Sequence, residues 1–550
     1  MTGRKRWISW LMAGFLVWLV GYPLLITLLE ALGLPGRLTA SHFAEFAGRP
    51  DEWRALWQSL WISTASTLLA AAVGIPLAFL FARTEFPGRR VLGALIALPV
   101  ALPPLVGVIA FLFLYGESGF VARGIQELLG LESSPWNLTG PAAILLVHAY
   151  SMYVYFYLFV RAALARMDSS LLEAAASLGA GRWRTLFKVT LPVLTPALAG
   201  AALLTFMTSL ASFSAPYIFG GGFRVMTTQI VASKLNGEIA MAQVESITLA
   251  ALALAGLWAM RRIDPGSTAV VGGVRGLAPA RRHLESSVAR WGVAVLGWGL
   301  ALFLLLPHLT LLLISFVPPG TWTVELLPPV LNGDNYASLI STPERLRPIM
   351  NSLWMAAVAT LGAIFLGLTT ARLSIRDKGR LGGVLETLIS VPWALPGTVF
   401  AIALATTFAV DFPWTGRVVL VGTPWLLPLA YLVRSLPLTG RSSLAGLRQF
   451  DISLEEAAAV LGAGRWRRLF KIVLPLLRPA VMAGASLAFI TALGDFVTSI
   501  VLYTFDTRPI SIEILSSLRL QETGVAAVYG VLLMVVSGTA FVIWGRDQRI

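Results

Sequence analysis

A chain of 550 residues, 57% of them hydrophobic and only 13% charged, with a mean hydropathy of +0.77, is too apolar for a water-soluble protein, so its solvent is largely lipid. The formal net charge of +14 invites a nucleic-acid reading, which the placement of the basic residues argues against. The lack of cysteine excludes disulfides, thiolate metal sites and cysteine nucleophiles.

In chain order, twelve apolar stretches are long enough, or nearly so, to cross a hydrocarbon layer as helices, which predicts an all-α polytopic membrane protein. They lie near 7–30, 57–82, 93–115, 141–165, 196–219, 243–262, 291–316, 352–374, 383–410, 420–438, 478–503 and 524–545. The first follows Arg4, Lys5 and Arg6; it is long for a cleaved signal peptide and lacks a clear small-residue cleavage site, so it is read as a span. The stretch 420–438 is the weakest, being short and interrupted by Pro424, Pro428 and Pro437. With both termini in the cytoplasm, about 31 of the 42 Lys and Arg fall on the cytoplasmic side and about 11 opposite, the positive-inside pattern. Basicity is therefore read as topology and contact with an anionic bilayer, with no nucleic-acid partner.

The chain repeats itself. Asp168-Ser-Ser-Leu-Leu-Glu-Ala-Ala-Ala-Ser-Leu-Gly-Ala-Gly-Arg-Trp-Arg aligns without a gap to Asp451-Ile-Ser-Leu-Glu-Glu-Ala-Ala-Ala-Val-Leu-Gly-Ala-Gly-Arg-Trp-Arg, and the likeness runs on to Pro192 and Pro475. Gln58-Ser59-Leu60 answers Asn351-Ser352-Leu353, Leu98-Pro99-Val100-Ala101-Leu102-Pro103 answers Val391-Pro392-Trp393-Ala394-Leu395-Pro396, and Leu210-Ala-Ser-Phe213 answers Leu493-Gly-Asp-Phe496. Six spans per copy make both copies face the same way, a parallel duplication. The expected organisation is a first half over 1–262, a Gly-, Pro- and Arg-rich cytoplasmic linker over 263–290, and a second half over 291–550.

Within the repeated segment, Ser170-x-x-Glu173 and Ser453-x-x-Glu456 fit a capping box. Ala174 and Ala175, like Ala457 and Ala458, continue a helix; Gly179 and Gly181, like Gly462 and Gly464, stop it and allow a turn. Arg182-Trp183-Arg184 and Arg465-Trp466-Arg467 open a second short helix carrying Phe187 or Phe470, which Pro192 and Pro475 are expected to end. The bland reading is a charged connector. Repetition over so many positions, in loops that need only be polar, favours a docking element whose exposed Trp and Phe anchor another protein.

Glu173-Ala-Ala-x-x-x-Gly179 and Glu456-Ala-Ala-x-x-x-Gly462, ending at Leu191-Pro192 and Leu474-Pro475, resemble the cytoplasmic signature of permease subunits in binding-protein-dependent (type I) ABC importers. The resemblance implies that each segment is a coupling helix entering a cleft on a nucleotide-binding subunit. It implies two ABC ATPase copies and an extracytoplasmic solute-binding protein as partners, in a bacterial plasma (inner) membrane. Fused two-half chains of this kind resemble the ferric-iron importers and their relatives for thiamine and aminoalkylphosphonates; Ala215 to Gly222, Val225 to Ile230 and Thr504 to Ser511 look like the ferric branch, with polyamine carriers a further alternative.

What is missing narrows the chemistry. None of the five lysines (Lys5, Lys188, Lys234, Lys378, Lys471) follows a glycine, so no P-loop is present and ATP hydrolysis falls to a partner; no cofactor is expected and the chain is not an enzyme. The rival is a proton- or sodium-coupled secondary transporter. Phe81 to Arg90 resembles the major facilitator loop signature but lacks its Asp-Arg pair. Such carriers also usually need carboxylates or histidines inside the bundle, which are sparse here. The intramembrane ionisable groups are read as Glu386, Arg434 and Asp495, with Glu30 near a span end. Asp495 aligns with Ser212, and Phe496 with Phe213; these four either line the path or pack helices. Arg434 either faces the bundle, a water path or a partner, or lies near the cytoplasmic end. His42, His148, His283 and His308 have no metal-site spacing, so no metal site is expected.

Overall fold

A computed structural model describes residues 6–34, 36–97, 99, 103–263, 282–283, 286–322, 325–377, 379–411, 415 and 417–545. The protein is an all-α polytopic membrane protein. Ten helices among the described residues are long and apolar enough to span a bilayer: Arg6–Ala31, Pro50–Arg83, Pro104–Leu129, Gly140–Arg166, Arg182–Leu210, Ile239–Ala259, Ser287–Ile314, Pro343–Arg376, Arg465–Leu493 and Thr523–Ile543. Arg380–Ala394 and Gly397–Thr407 are long and apolar enough only as a pair and are bent by 106° at the break between them, the geometry of a broken span or a re-entrant loop. Leu426–Gln449, the weak stretch of the sequence, is a helix of 24 residues. Arg434, Arg441 and several hydroxyls leave it more polar than the others.

Among the differences from the hydropathy reading, three lie where the backbone breaks. The third expected span, 93–115, is split: Arg89–Ile96 is a separate helix and the next begins at Pro104. Pro99, Pro103 and Pro104 together remove three amide donors, which a continuous helix cannot absorb. The fifth and eleventh spans end at Leu210 and Leu493, and the residues assigned to their ends form separate short helices, Ser214–Phe219 and Val497–Leu502. Most of the expected linker (264–281 and 284–285), together with Leu98, Val100, Ala101 and Leu102 of the repeated proline motif, lies outside the described residues. The described linker residues Arg282–His283 pair in parallel with Thr84–Glu85.

Each half is built on three mutually packed helices: Pro50–Arg83, Gly140–Arg166 and Leu191–Leu210 in the first, and Pro343–Arg376, Leu426–Gln449 and Leu474–Leu493 in the second. The first span of each half leaves its own core. Tyr22–Ala31 packs against Gly397–Thr407 of the second half, and Ser287–Ile314 against Pro104–Tyr115 of the first. The halves are therefore interlocked.

Two close helix crossings use equivalent glycines. A Cβ on Gly74 would lie 2.7 Å from Phe156 Cβ and closer still to the Tyr153 carbonyl; one on Gly367 would lie 2.6 Å from Thr439 Oγ1 and 2.8 Å from the Gly440 nitrogen. Small residues let helix backbones approach in lipid, where packing drives association. Gly74→Leu and Gly367→Leu should each lower recovery of folded protein from membranes by about tenfold, because the added carbons overpack a fixed crossing. Gly299→Leu, where a Cβ meets nothing within 4 Å, should not. Normal recovery of the first two would refute the crossing.

Candidate functional site

The repeated segment folds as two superimposable elbows. Ser169–Ser177 and Ile452–Val460 are short helices. The expected capping box is absent: the N-caps are Asp168 and Asp451, whose carboxylates accept from the Ser170 and Ser453 amides at 3.0 Å in both copies. A carboxylate two residues before the amide closes this turn more readily than a hydroxyl within the helix. The Ser453 amide and hydroxyl hold the Asp451 carboxyl below its usual range. Glu173 and Glu456, released from capping, stand exposed beside exposed Ala174 and Ala457, while Ala175 and Ala458 are buried.

Each short helix ends in a Schellman turn. Gly179 donates to the Ala176 carbonyl and Ala180 to that of Ala175, both at 2.9 Å; Gly462 and Ala463 donate to Ala459 and Ala458 at 3.1 and 2.9 Å. The glycines sit at φ +71° and +80°, the left-handed region that side chains disfavour. Gly181 and Gly464 play a different part, as N-caps of the second helix. That helix does not stop at Pro192 or Pro475. A π-turn over Leu186–Thr190, and again over Leu469–Val473, carries it into the following span. The wider turn spares the amide that each proline lacks.

The apolar residues of the elbows face outward. Leu178, Trp183 and Phe187 are 85%, 74% and 60% exposed, and Leu461, Trp466 and Phe470 are 87%, 73% and 59% exposed, so two copies of one apolar surface await cover. Trp183 stacks on Phe187 (6.2 Å, 20°) and Trp466 on Phe470 (6.0 Å, 19°). One of the differences between them adds ion pairs to the second copy. Glu455, where the first copy has Leu172, accepts from Arg372 at 2.8 Å and Arg376 at 2.9 Å.

At the other end of the same spans, the structure brings Phe213 and Phe496 together. These equivalent rings, one from each half, lie 5.5 Å apart, and Tyr217 closes the cluster at 5.0 and 5.8 Å. Both phenylalanines are buried. The breaks that aim them are pinned alike: Thr227 Oγ1 donates to the Ser212 carbonyl and Ser511 Oγ to that of Asp495, both at 2.7 Å. The repeated Ser59 and Ser352 accept from the first amides of the helices Met226–Leu235 and Ile510–Arg519, at 2.7 and 2.8 Å.

The polar neighbours of the rings differ between halves. Ser212 Oγ lies 2.9 Å from His148 Nε2, and His148 Nδ1 lies 2.8 Å from Ser66 Oγ. Asp495 instead pairs with Arg434 and accepts from the Thr498 and Ser499 amides at 2.8 and 3.3 Å. Of the two readings left open for Arg434, its pairing with Asp495 favours a place inside the bundle. Glu386 accepts from Arg448 and Ser374.

Sequence reasoning passed over Glu245, which lies within an expected span. It accepts from Ser233 at 2.6 Å, while Glu52 accepts from Gln229 at 3.0 Å; both carboxyls are fully buried. The signal was a lone acid in an apolar run. Among the described residues no group of three or more acids or histidines could hold a metal ion.

The family described as "Binding-protein-dependent transport system inner membrane component" matches the chain twice, over residues 74–268 and 363–546. The chain is 29% identical over 536 residues to "Probable ABC transporter permease protein y4fN" of Sinorhizobium fredii (strain NBRC 101917 / NGR234), covering 96% of this chain and 93% of that one. It is 27% identical to "Thiamine transport system permease protein ThiP" of Escherichia coli (strain K12), covering 94% of each. Against "Ferric transport system permease protein FbpB" of Actinobacillus pleuropneumoniae it is 26% identical, over 88% of this chain and 68% of that one. With the family matched in both halves, the chain belongs to the inner-membrane permease components of binding-protein-dependent ABC transport systems.

Proposed function

We propose that the chain is the two-half permease of an ATP-driven importer that carries ferric iron, delivered by an extracytoplasmic binding protein, into the cytoplasm. Residues 1–262 and 291–550 form the two halves, with both termini on the cytoplasmic side of the bacterial plasma membrane. Two ATPase copies dock on the elbows through Glu173, Ala174, Ala175 and Gly179, and through Glu456, Ala457, Ala458 and Gly462. Their closure on ATP rocks the halves about the axis between Phe213 and Phe496, which together with Ser212 and Asp495 border the path. Hydrolysis belongs to the partners.

The observation that carries this reading is the pair of elbows: the same cap, glycine turn and exposed stacked aromatic pair occur in both halves. One exposed aromatic elbow is a surface accident. Two in equivalent places suit a partner that comes in two copies. The ferric assignment draws on the ferric-system relatives; thiamine is the second reading, favoured by the full-length thiamine-system relative. Deleting the gene should lower uptake of radiolabelled ferric iron by about tenfold and leave thiamine uptake unchanged, the reverse being expected of a thiamine permease. Transport by the chain alone in vesicles, driven by a proton gradient without ATPase, would remove the importer reading altogether.

A further inference from the structure

Two cations beside the aromatic cluster have no part in docking or in the packing of either half. Lys234 closes the helix Met226–Leu235 of the first half, and Arg519 closes its counterpart Ile510–Arg519 in the second. Each reaches across to the other half. Lys234 Nζ donates to the carbonyl of Val501, in the short helix that follows Phe496. Arg519 Nη2 donates to the Tyr217 hydroxyl at 2.6 Å, in the short helix that follows Phe213. The contacts are reciprocal, and Tyr217 itself lies against both phenylalanine rings.

The chemistry of these contacts is lopsided. An ammonium and a guanidinium are satisfied by a neutral carbonyl and a neutral phenol. Among the described residues no carboxylate lies within ion-pair distance of either. The acids on or beside these helices are committed elsewhere: Glu513 to Arg508 at 2.8 Å, Glu238 to Arg49 at 2.6 Å, Glu522 to Arg345 at 3.0 Å and Glu245 to Ser233 at 2.6 Å. Asp495, next to the Phe496 ring, is held by Arg434. Burial, with no opposing charge, pushes the Lys234 ammonium down to about 8. The uncommitted charge over the rings is therefore positive.

We propose that Lys234 and Arg519 form an anion-operated latch. Cargo arrives bearing oxyanion or carboxylate groups, which take the two cations from Val501 and Tyr217 and so unfasten the halves over the rings. The proposal rests on the importer reading and deepens it: ferric iron crosses as an anionic complex and not as a bare cation. The exchange is favourable because hydrogen bonds to an ionised acceptor are roughly twice as strong as those to a neutral one. A bare trivalent cation, by contrast, meets two like charges at these contacts. Only hydrogen bonds change hands; no covalent step is involved.

Citrate is the probe. In the purified full chain, citrate should raise the thermal unfolding midpoint above that in chloride of equal ionic strength, since a ligand of the folded state stabilises it. Lys234→Gln with Arg519→Gln should lose that shift and, in cells with the complete transporter, lower ferric uptake about tenfold, as expected for loss of charge-assisted contacts. Lys234→Arg with Arg519→Lys keeps both charges and should keep both effects. Equal citrate shifts in wild type and the glutamine variant, or wild-type uptake by that variant, would overturn the latch. So would loss of the shift in the charge-keeping variant, which would assign the cations to packing. Co-purification of the ATPase reports separately on the importer reading, which survives each of these failures.

Discussion

A chain carrying both Gly179→Val and Gly462→Val is expected to lose ATP-driven uptake about a hundredfold while still inserting into the membrane. Nothing lies within 4 Å of a Cβ at either position, so the harm is conformational and not steric. At φ +71° and +80°, a side chain costs about 1–2 kcal/mol, and a branched one more. The cheaper course is to unwind the turn, giving up the bonds from residues 179 and 180 to Ala176 and Ala175 and their counterparts. Either way Trp183 and Trp466 are re-aimed. A loss of about 1.4 kcal/mol at each elbow is tenfold, and two elbows multiply. Asparagine tolerates this backbone region, so Gly179→Asn with Gly462→Asn should keep uptake within about threefold of wild type. Uptake rate and co-purification with the ATPase are the readouts, and undiminished uptake in the valine chain would sink the docking role.

Arg434→Ser alone should destabilise the protein by about 3–5 kcal/mol, because it strands a buried carboxylate. Asp495 is 7% exposed, and no other cation pairs with it among the described residues. Asp495→Ser alone strands Arg434 and also removes the acceptor for the Thr498 and Ser499 amides. The repeat supplies the control. By the 283-residue offset, Ser151 and Ser212 occupy the equivalent places in the first half, where no ion pair forms. Arg434→Ser with Asp495→Ser therefore rebuilds an arrangement the fold already tolerates, and should recover much of the loss. Thermal unfolding of the four chains gives the coupling, expected to exceed about 2 kcal/mol. Additive single effects would show that the two side chains do not depend on each other.

The elbows were legible because their signals are local: an alanine run, a glycine at the turn and aromatic residues that a mere loop does not need. Phe213 and Phe496 were legible through the repeat, which pairs positions whatever the fold does between them. Other features were not legible, for identifiable reasons. Hydropathy averages over a window, so it ran straight through the breaks ahead of Pro104, at Ser212 and at Gly494, where single residues decide. Asp168 and Ser170 both fit a cap by spacing, and only the backbone angles choose between them. The exchange of first spans between halves has no signature in one dimension, since a span reads the same whichever neighbour it meets. The reach of Lys234 and Arg519 has no local signature, because each is partnered by the opposite half.

The ring cluster of Phe213, Tyr217 and Phe496 also has an electrical consequence. On the proposal that these residues border the path, three aromatic faces in mutual contact, two of them buried, form an apolar barrier across it. A plasma membrane stores energy as voltage, worth about 2.3 kcal/mol per elementary charge at 100 mV. A path closed by these rings, as proposed, opposes the leak of protons down that voltage.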